Sequence, residues 1–379
     1  MSETAENTLP NAKRQFNFDF IKMIIIFGLV PVHLFERCLL LEDYSVSHLG
    51  FDSFQSAIST ILELADGVIG ACMFMFCLGL GVAYSVHKAP GFLLKRSGII
   101  LAAAIILALL TNTISLTILG VINQNPAYFE SAVWWLFCCD ILNFATLVFL
   151  FFAAARKFKL SNITIIAISV VLLIIAAFIP KLIFPDNIIA SDLIGWLVFQ
   201  DTGYSFFPFM QWLIFPVAGY VFAQFLQKTE HREKFYGIVM LIGAVAFAGI
   251  TLVSMLLGID ITTFFSTYNG DIYNKTLLGA LWSLSFMLFF SALIFFLTRK
   301  VKETSCLHRF AENVSHRITV FYCLQWIIIG FLGFWVFPAV GMSPINIAQL
   351  FIFTVLIIVV CYFLSGWIQK GLRKIGIPL

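Results

Sequence analysis

The residues best suited to chemistry stand in one apolar stretch near the N-terminus, Phe18 to Arg37, which reads FDFIKMIIIFGLVPVHLFER. Asp19 and Lys22 open it, His33 lies inside it, and Glu36 and Arg37 come near its end. On a helix turning about 100° per residue, the eleven steps from Lys22 to His33 return almost to the same face. Asp19, Lys22, His33 and Glu36 therefore form one polar stripe on a segment long enough to cross a bilayer. An ionisable side chain at bilayer depth costs roughly 2.5 kcal/mol or more, so the stripe demands a function or a partner. Histidine beside carboxylates is the equipment of general acid–base catalysis. The imidazole takes a proton from an attacking hydroxyl or amine, and the carboxylate orients it. The same groups serve proton-coupled transport. A His that only hydrogen-bonds a neighbouring helix is the plain structural alternative.

The elements that must hold these groups are membrane helices. The chain has 379 residues, of which 61% are hydrophobic and 11% charged, with 43 Phe, more apolar surface than a water-soluble domain of this size can bury. The expected fold is all-α, a polytopic integral membrane protein with ten spans near 20–41, 61–86, 97–119, 132–154, 163–179, 206–227, 236–257, 278–298, 317–337 and 347–368. Alternate connections carry Lys13 and Arg14; Lys88, Lys95 and Arg96; Arg156, Lys157 and Lys159; Lys228, Arg232 and Lys234; Arg299, Lys300, Lys302 and Arg309; and Lys370, Arg373 and Lys374. The other connections hold only Arg37, Lys181 and Lys275. The positive-inside rule then puts both termini in the cytoplasm. Residues 1–17 read as a mobile cytoplasmic tail, 18–370 as a single membrane domain and 371–379 as a second tail. The first span reads as a retained signal anchor, because no small-residue cleavage site follows it. Cys72, Cys77, Cys138, Cys139, Cys323 and Cys361 fall inside spans, so no structural disulfide is expected.

With the span directions set, depth follows at about 1.5 Å per residue. His33 and Asp140 each lie about 12 Å from the outer face, Asn112 about 10 Å, and Asp66 a little shallower. Four polar groups on four consecutive spans thus share one layer, facing either a wet cavity or one another. A hydrogen-bond network between helices would produce the same pattern. The outer connections are acidic, and Trp134, Trp135 and Trp196 sit near the outer interface, as an aromatic belt or as platforms for a sugar ring. His87, Lys88, Lys95 and Arg96 form a basic patch at the cytoplasmic mouth of spans two and three. That patch is either the topology signal alone or a holder of nucleotide phosphates. No metal-ligand spacing, phosphate-binding glycine loop, dinucleotide fingerprint or internal repeat occurs, and nothing points to nucleic acid. The small residues from Gly79 to Ala83 read as a helix-packing face.

Several of these residues fall in patterns of a known group. The Lys22-x10-His33 spacing resembles the first-span signature of acyltransferase family 3, and more of the chain resembles the related heparan-α-glucosaminide N-acetyltransferase-like proteins. Asp19-Phe-Ile-Lys22 is similar to their Asp-x-x-Arg opening, with Met23 in place of the usual Gly. Ala65-Asp66, then Phe74 to Gly79 and Ser85, resemble their second span, and Asp140-Ile-Leu-Asn143 their Asp-hydrophobic-Leu-Gln element. Phe207-Pro208-Phe-Met-Gln-Trp212 with Gly219 resembles a Pro-x-x-x-Trp and Gly pattern. Asn313 to Trp326 is similar to a late Tyr-x-x-His span in which Gln325 replaces the His. The likeness covers residues 15–330 in scattered pieces.

The resemblance implies a membrane-bound acyltransferase of the inner, cytoplasmic membrane that moves an acyl group, often acetyl, from cytoplasmic acyl-CoA (acetyl-CoA) to an outer sugar or glycolipid, with no metal. Expected catalytic residues are His33, Asp66 and Asp140. His48 joins them because a His beyond the first span is implicated in the amino-sugar enzymes, although its spacing here differs. Lys22, Lys95 and Arg96 are expected to hold CoA, and Glu36, Asn112, Trp135 and Gln211 the acceptor. Expected partners are membrane lipids, the two substrates and a second copy in a homodimer. The competing classes are a proton-coupled transporter of a small solute, sugar or lipid, which the lack of repeats and broken helices disfavours, and a structural partner of an envelope-synthesis complex.

Overall fold

The computed structural model describes residues 15–38, 61–63, 65–184, 187–199, 205–265, 272–342 and 345–376. His48 lies outside them. Among the described residues the chain is helical, with one isolated parallel bridge between Cys139 and Ser205. Eight helices are long and apolar enough to cross a membrane, which makes this a multi-pass membrane protein.

The helices follow the apolar runs. The first, α1 (Phe16–Cys38), precedes a π-helical turn (Ala65–Cys72) that leads into α2 (Met73–Tyr84). Helix α3 (Pro90–Ala108) starts with proline in its first turn, where the missing N–H is no loss. It continues through a π turn (Leu109–Thr113) into α4 (Ile114–Asn123), so that Pro90–Asn123 is one 34-residue rod about 51 Å long. After it come α5 (Ala127–Phe137), α6 (Ile141–Lys157), α7 (Asn162–Ala176), α8 (Ile188–Gly195), α9 (Phe209–Trp212), α10 (Ile214–Lys228), α11 (Arg232–Leu256), α12 (Leu277–Thr298), α13 (Cys306–Ser315), α14 (Ile318–Phe331) and α15 (Ile347–Lys374). A third π turn, Leu332–Val336, prolongs α14.

Two of the ten expected spans take another form. The stretch 132–154 is divided between α5 and α6 by a break at Cys138–Asp140. The carbonyl of Cys139 accepts hydrogen bonds from the amides of Phe206 (3.1 Å) and Phe207 (3.4 Å), so the backbone leaves the helix to pair with another segment. The stretch 163–179 forms α7 of 15 residues, about 22 Å and shorter than a hydrocarbon core.

Helix α1 occupies the middle of the bundle, packed by α2, α12, α13, α14 and α15. Within the apolar windows, 67% of α1 is buried against 11% of α11, so the stripe-bearing helix is core and α11 is lipid-facing rim. Helices α2 and α10 meet most closely through glycines, since a Cβ on Gly79 would run into the backbone of Pro216 and one on Gly219 into that of Phe76. Gly79→Val is therefore expected to cost about 1–3 kcal/mol, the usual penalty of overpacking, and to lower Tm in detergent. Gly81→Ala, whose Cβ meets nothing within 4 Å, serves as the control and should leave Tm unchanged or raised.

On the side of the bundle where α2 ends and α3 begins, several basic residues close helix ends. Arg156 donates to the carbonyls of Val82 (2.7 Å) and His87 (2.8 Å), and Lys88 to that of Ala83 (3.1 Å). Cations at the carbonyl end of α2 are favourable to its dipole, so Lys88 and Arg156 serve the fold. The eight cysteines are all free.

Candidate functional site

A cavity of about 280 Å³ lies beside the C-terminal half of α1. His33, Glu36, Asp66, Asn112, Trp135 and Asp140 all line it. The folding reason differs for each. His33 and Glu36 are three residues apart on one face of α1. Asp66 and Asn112 sit in π turns, which re-aim side chains that a regular helix would point elsewhere. Asp140 is the N-cap of α6, and its carboxylate accepts from the Ile141 amide at 2.7 Å. The break before α6 thus presents both a carboxylate and irregular backbone to the cavity, a place where irregular backbone is tolerated at membrane depth.

His33 is almost wholly buried. Its ring stacks on Trp326 (centroids 4.0 Å, planes 26° apart) and meets the edge of Tyr322 at 6.0 Å. Nδ1 of His33 is 3.3 Å from Nε2 of Gln325. With that amide nitrogen donating, the proton of a neutral ring stands on Nε2. With the amide turned end for end, Oε1 accepts from Nδ1–H and Nε2 keeps a free lone pair. Proton abstraction by Nε2 requires the second arrangement. Tyr322 also donates to the second oxygen of Asp140 at 3.4 Å, linking the base candidate to the carboxylate through one aromatic residue.

The cavity gathers the carboxyl groups of Glu36, Asp66 and Asp140. Two cations offset them. Arg37, on the cavity wall, donates to Asn112 Oδ1 at 2.5 Å and lies 4.0 Å over the ring of Phe334 and 6.0 Å from that of Trp135. Lys275 is buried behind Asp66, donates to the Phe264 carbonyl at 3.0 Å and stands 5.1 Å over the Trp212 ring.

A second cavity, of about 510 Å³, lies beside the N-terminal half of α1, and Lys22, His87, Arg96 and His316 line it. Arg96 rests 5.2 Å over the Phe149 ring and its buried Nε has no partner. Lys95, expected at the same place, is exposed and lies off the cavity wall. Gln211, expected on the acceptor, lies off the first cavity and is committed to the fold. Its amide accepts from Phe199 N (2.9 Å) and donates to Asn274 (2.8 Å), while Trp212 donates to the Tyr273 carbonyl (3.0 Å). These bonds hold the strap that brings Tyr273 to the cavity wall.

Tyr273, Tyr322 and Trp326 on the wall, and Lys275 behind it, went unassigned in the sequence. For Tyr322 and Trp326 a signal existed, since they lie one turn apart on the late segment already singled out. Lys275 stood out only as a lone cation in an acidic connection. Among the described residues no cluster of three metal-ligating side chains occurs. Set against known proteins, the chain matches no family model, no curated protein and no solved structure.

Proposed function

We propose that the chain is a membrane-bound acyltransferase that carries an acyl group, acetyl in the first instance, from cytoplasmic acyl-CoA to a hydroxyl or amine of an extracytoplasmic carbohydrate or glycolipid. The observation that carries this reading is the pairing of two cavities along one central helix. The cavity with Lys22 and Arg96 suits phosphates, and the one with His33, Asp66 and Asp140 suits proton transfer. Lys22 and His33 are eleven residues, or about 16 Å, apart on α1. In this reading the eight long helices, α7 and the broken α5–α6 pair make ten crossings, both termini are cytoplasmic, and the membrane is the inner one.

The reaction balances simply. His33 accepts the proton of the attacking hydroxyl or amine, whose oxygen or nitrogen bonds to the thioester carbonyl carbon. The carbon–sulfur bond breaks, and the thiolate takes the proton from His33 to leave as CoA thiol. Arg96, weakly hydrated and able to make a two-point contact, binds phosphate in the second cavity.

Thiol release from acetyl-CoA by purified protein, with and without candidate sugars, tests the activity. Binding tests the donor side. Arg96→Gln should weaken CoA binding about tenfold in low salt and less in high salt, because the contact is electrostatic. Lys95→Gln should leave binding unchanged, since Lys95 lies off the cavity. Equal affinity of wild type and Arg96→Gln across salt would return Arg96 to the role of topology signal.

The transporter reading gains one specific support. The break at Cys138–Asp140 is a discontinuous helix at the polar cavity, which the sequence did not reveal and which transporters use at their binding sites. It predicts solute movement without thiol release.

A further inference from the structure

The two cavities touch one residue in common, Leu142 of α6. On four of the elements that line both, the wall changes over within about one turn, while on α1 Lys22 and Leu29 stand two turns apart. On the second helical segment, Ala71 faces the first cavity and Phe74 the second; on α14, Tyr322 and Thr319 divide in the same way. Leu142 gives way to Ala145 on α6, and Ala104 to Ile100 on α3. Three or four residues of helix rise about 4.5–6 Å, so away from α1 the partition is one layer of side chains thick. Its members touch, with the ring of Phe74 6.0 Å from that of Tyr322.

That layer is apolar but for the hydroxyls of Thr319 and Tyr322, the latter turned toward Asp140. Among the described residues lining the two cavities, no charged residue is shared between them. Leu142 is near the first turn of α6, directly after the break, where few helical bonds restrain the backbone. Leu142 is the one residue that both cavities touch, so it is where the two come closest along the chain.

We infer that Leu142, backed by Phe74 and Tyr322, is the septum between the donor and acceptor cavities, and that its size sets which acyl groups pass. The inference rests on the acyltransfer reading for its substrate, but the septum itself is a statement about two cavities. A short acyl chain on a thioester enters past Leu142, whereas a long or branched chain meets its side chain and those of Phe74 and Tyr322. The septum is a specificity determinant and stays apart from the bonds that form and break.

Two native thiols report on it independently of any activity. Cys138 lines the first cavity and Cys77 the second. In sealed vesicles, a membrane-impermeant thiosulfonate supplied only on the face from which Cys138 reacts should modify Cys138 and spare Cys77, with sites assigned by mass spectrometry. Leu142→Ala should raise the rate at Cys77 from that face about tenfold or more. In acyl transfer, Leu142→Ala should raise the hexanoyl-to-acetyl preference about tenfold, and Leu142→Val should fall between it and wild type. Should Leu142→Ala fail to purify as a folded protein, Leu142→Val decides by the same two readouts.

Protection of Cys77 unchanged in both variants would overturn the septum, and an unchanged chain-length preference would overturn its role in selection. Absence of any acyl transfer by wild type would instead remove the acyltransfer reading. In that event the Cys77 rate alone decides for or against the septum.

Discussion

His33→Ala is expected to lower acyl transfer by about 10²-fold or more while leaving CoA affinity unchanged. The expectation follows from the partition of α1. His33 stands in the cavity with the carboxylates, about 16 Å along the helix from Lys22 in the other cavity. A His that merely packs on Trp326 would tolerate replacement better, and His33→Asn, which keeps a polar contact with Gln325, should then retain most activity. Gln325 supplies a finer test. Gln325→Glu forces an acceptor onto Nδ1–H and so fixes Nε2 as the basic nitrogen, which should preserve or raise turnover and shift the pH profile. Gln325→Leu, with no acceptor, should lower kcat more than it raises KM. His48, outside the described residues, is assayed beside them. Loss at His48 with survival at His33 would transfer the base to the following loop.

The second large effect is at Asp140. Asp140→Ala removes the cap of α6 and leaves the Tyr322 hydroxyl without its acceptor. The lost cap costs about 1 kcal/mol and an orphaned buried hydroxyl a further 1–3 kcal/mol, so a clear fall in Tm is expected. Asp140→Asn separates structure from chemistry. Asn caps a helix about as well as Asp, so Tm should stay near that of wild type. The charge that favours the protonated His33 formed during transfer is gone, however, so turnover should fall roughly tenfold or more. Equal activity of Asp140→Asn and wild type at equal stability would reduce Asp140 to a cap.

The sequence made much of the fold legible, for a physical reason. Membrane helices announce themselves by long apolar runs, and eight such helices stand where the runs do. His33, Asp66, Asn112 and Asp140, which depth counted along the sequence places in one layer, line one cavity. Asp140 reaches it from a helix break and not from eight residues into a straight span. Breaks and π turns were hidden because they depend on which backbone groups find tertiary partners. The Cys139 carbonyl leaves its helix for Phe206 and Phe207, far along the chain, and an apolar run carries no mark of that exchange. The position of Lys95 off the cavity wall was hidden for a similar reason. Adjacent residues on a helix point about 100° apart, so Arg96 on the cavity wall sends Lys95 outward. Gln211 shows the opposite limit. A buried amide serves a strap as well as it serves a ligand, and only the partners Phe199 and Asn274 distinguish the two.

In the acyltransferase reading, one chain passes an acyl group from a donor on one face of the membrane to an acceptor on the other. Sealed vesicles with acetyl-labelled CoA on the face near Arg96 and a mixed set of hexoses and hexosamines on the opposite face test it directly. Labelled acceptor is expected on the far side and CoA thiol in equal amount on the near side, both formed about 10²-fold more slowly with His33→Ala. Sugar movement across the vesicle without thiol release, unaffected by CoA, would contradict that reading.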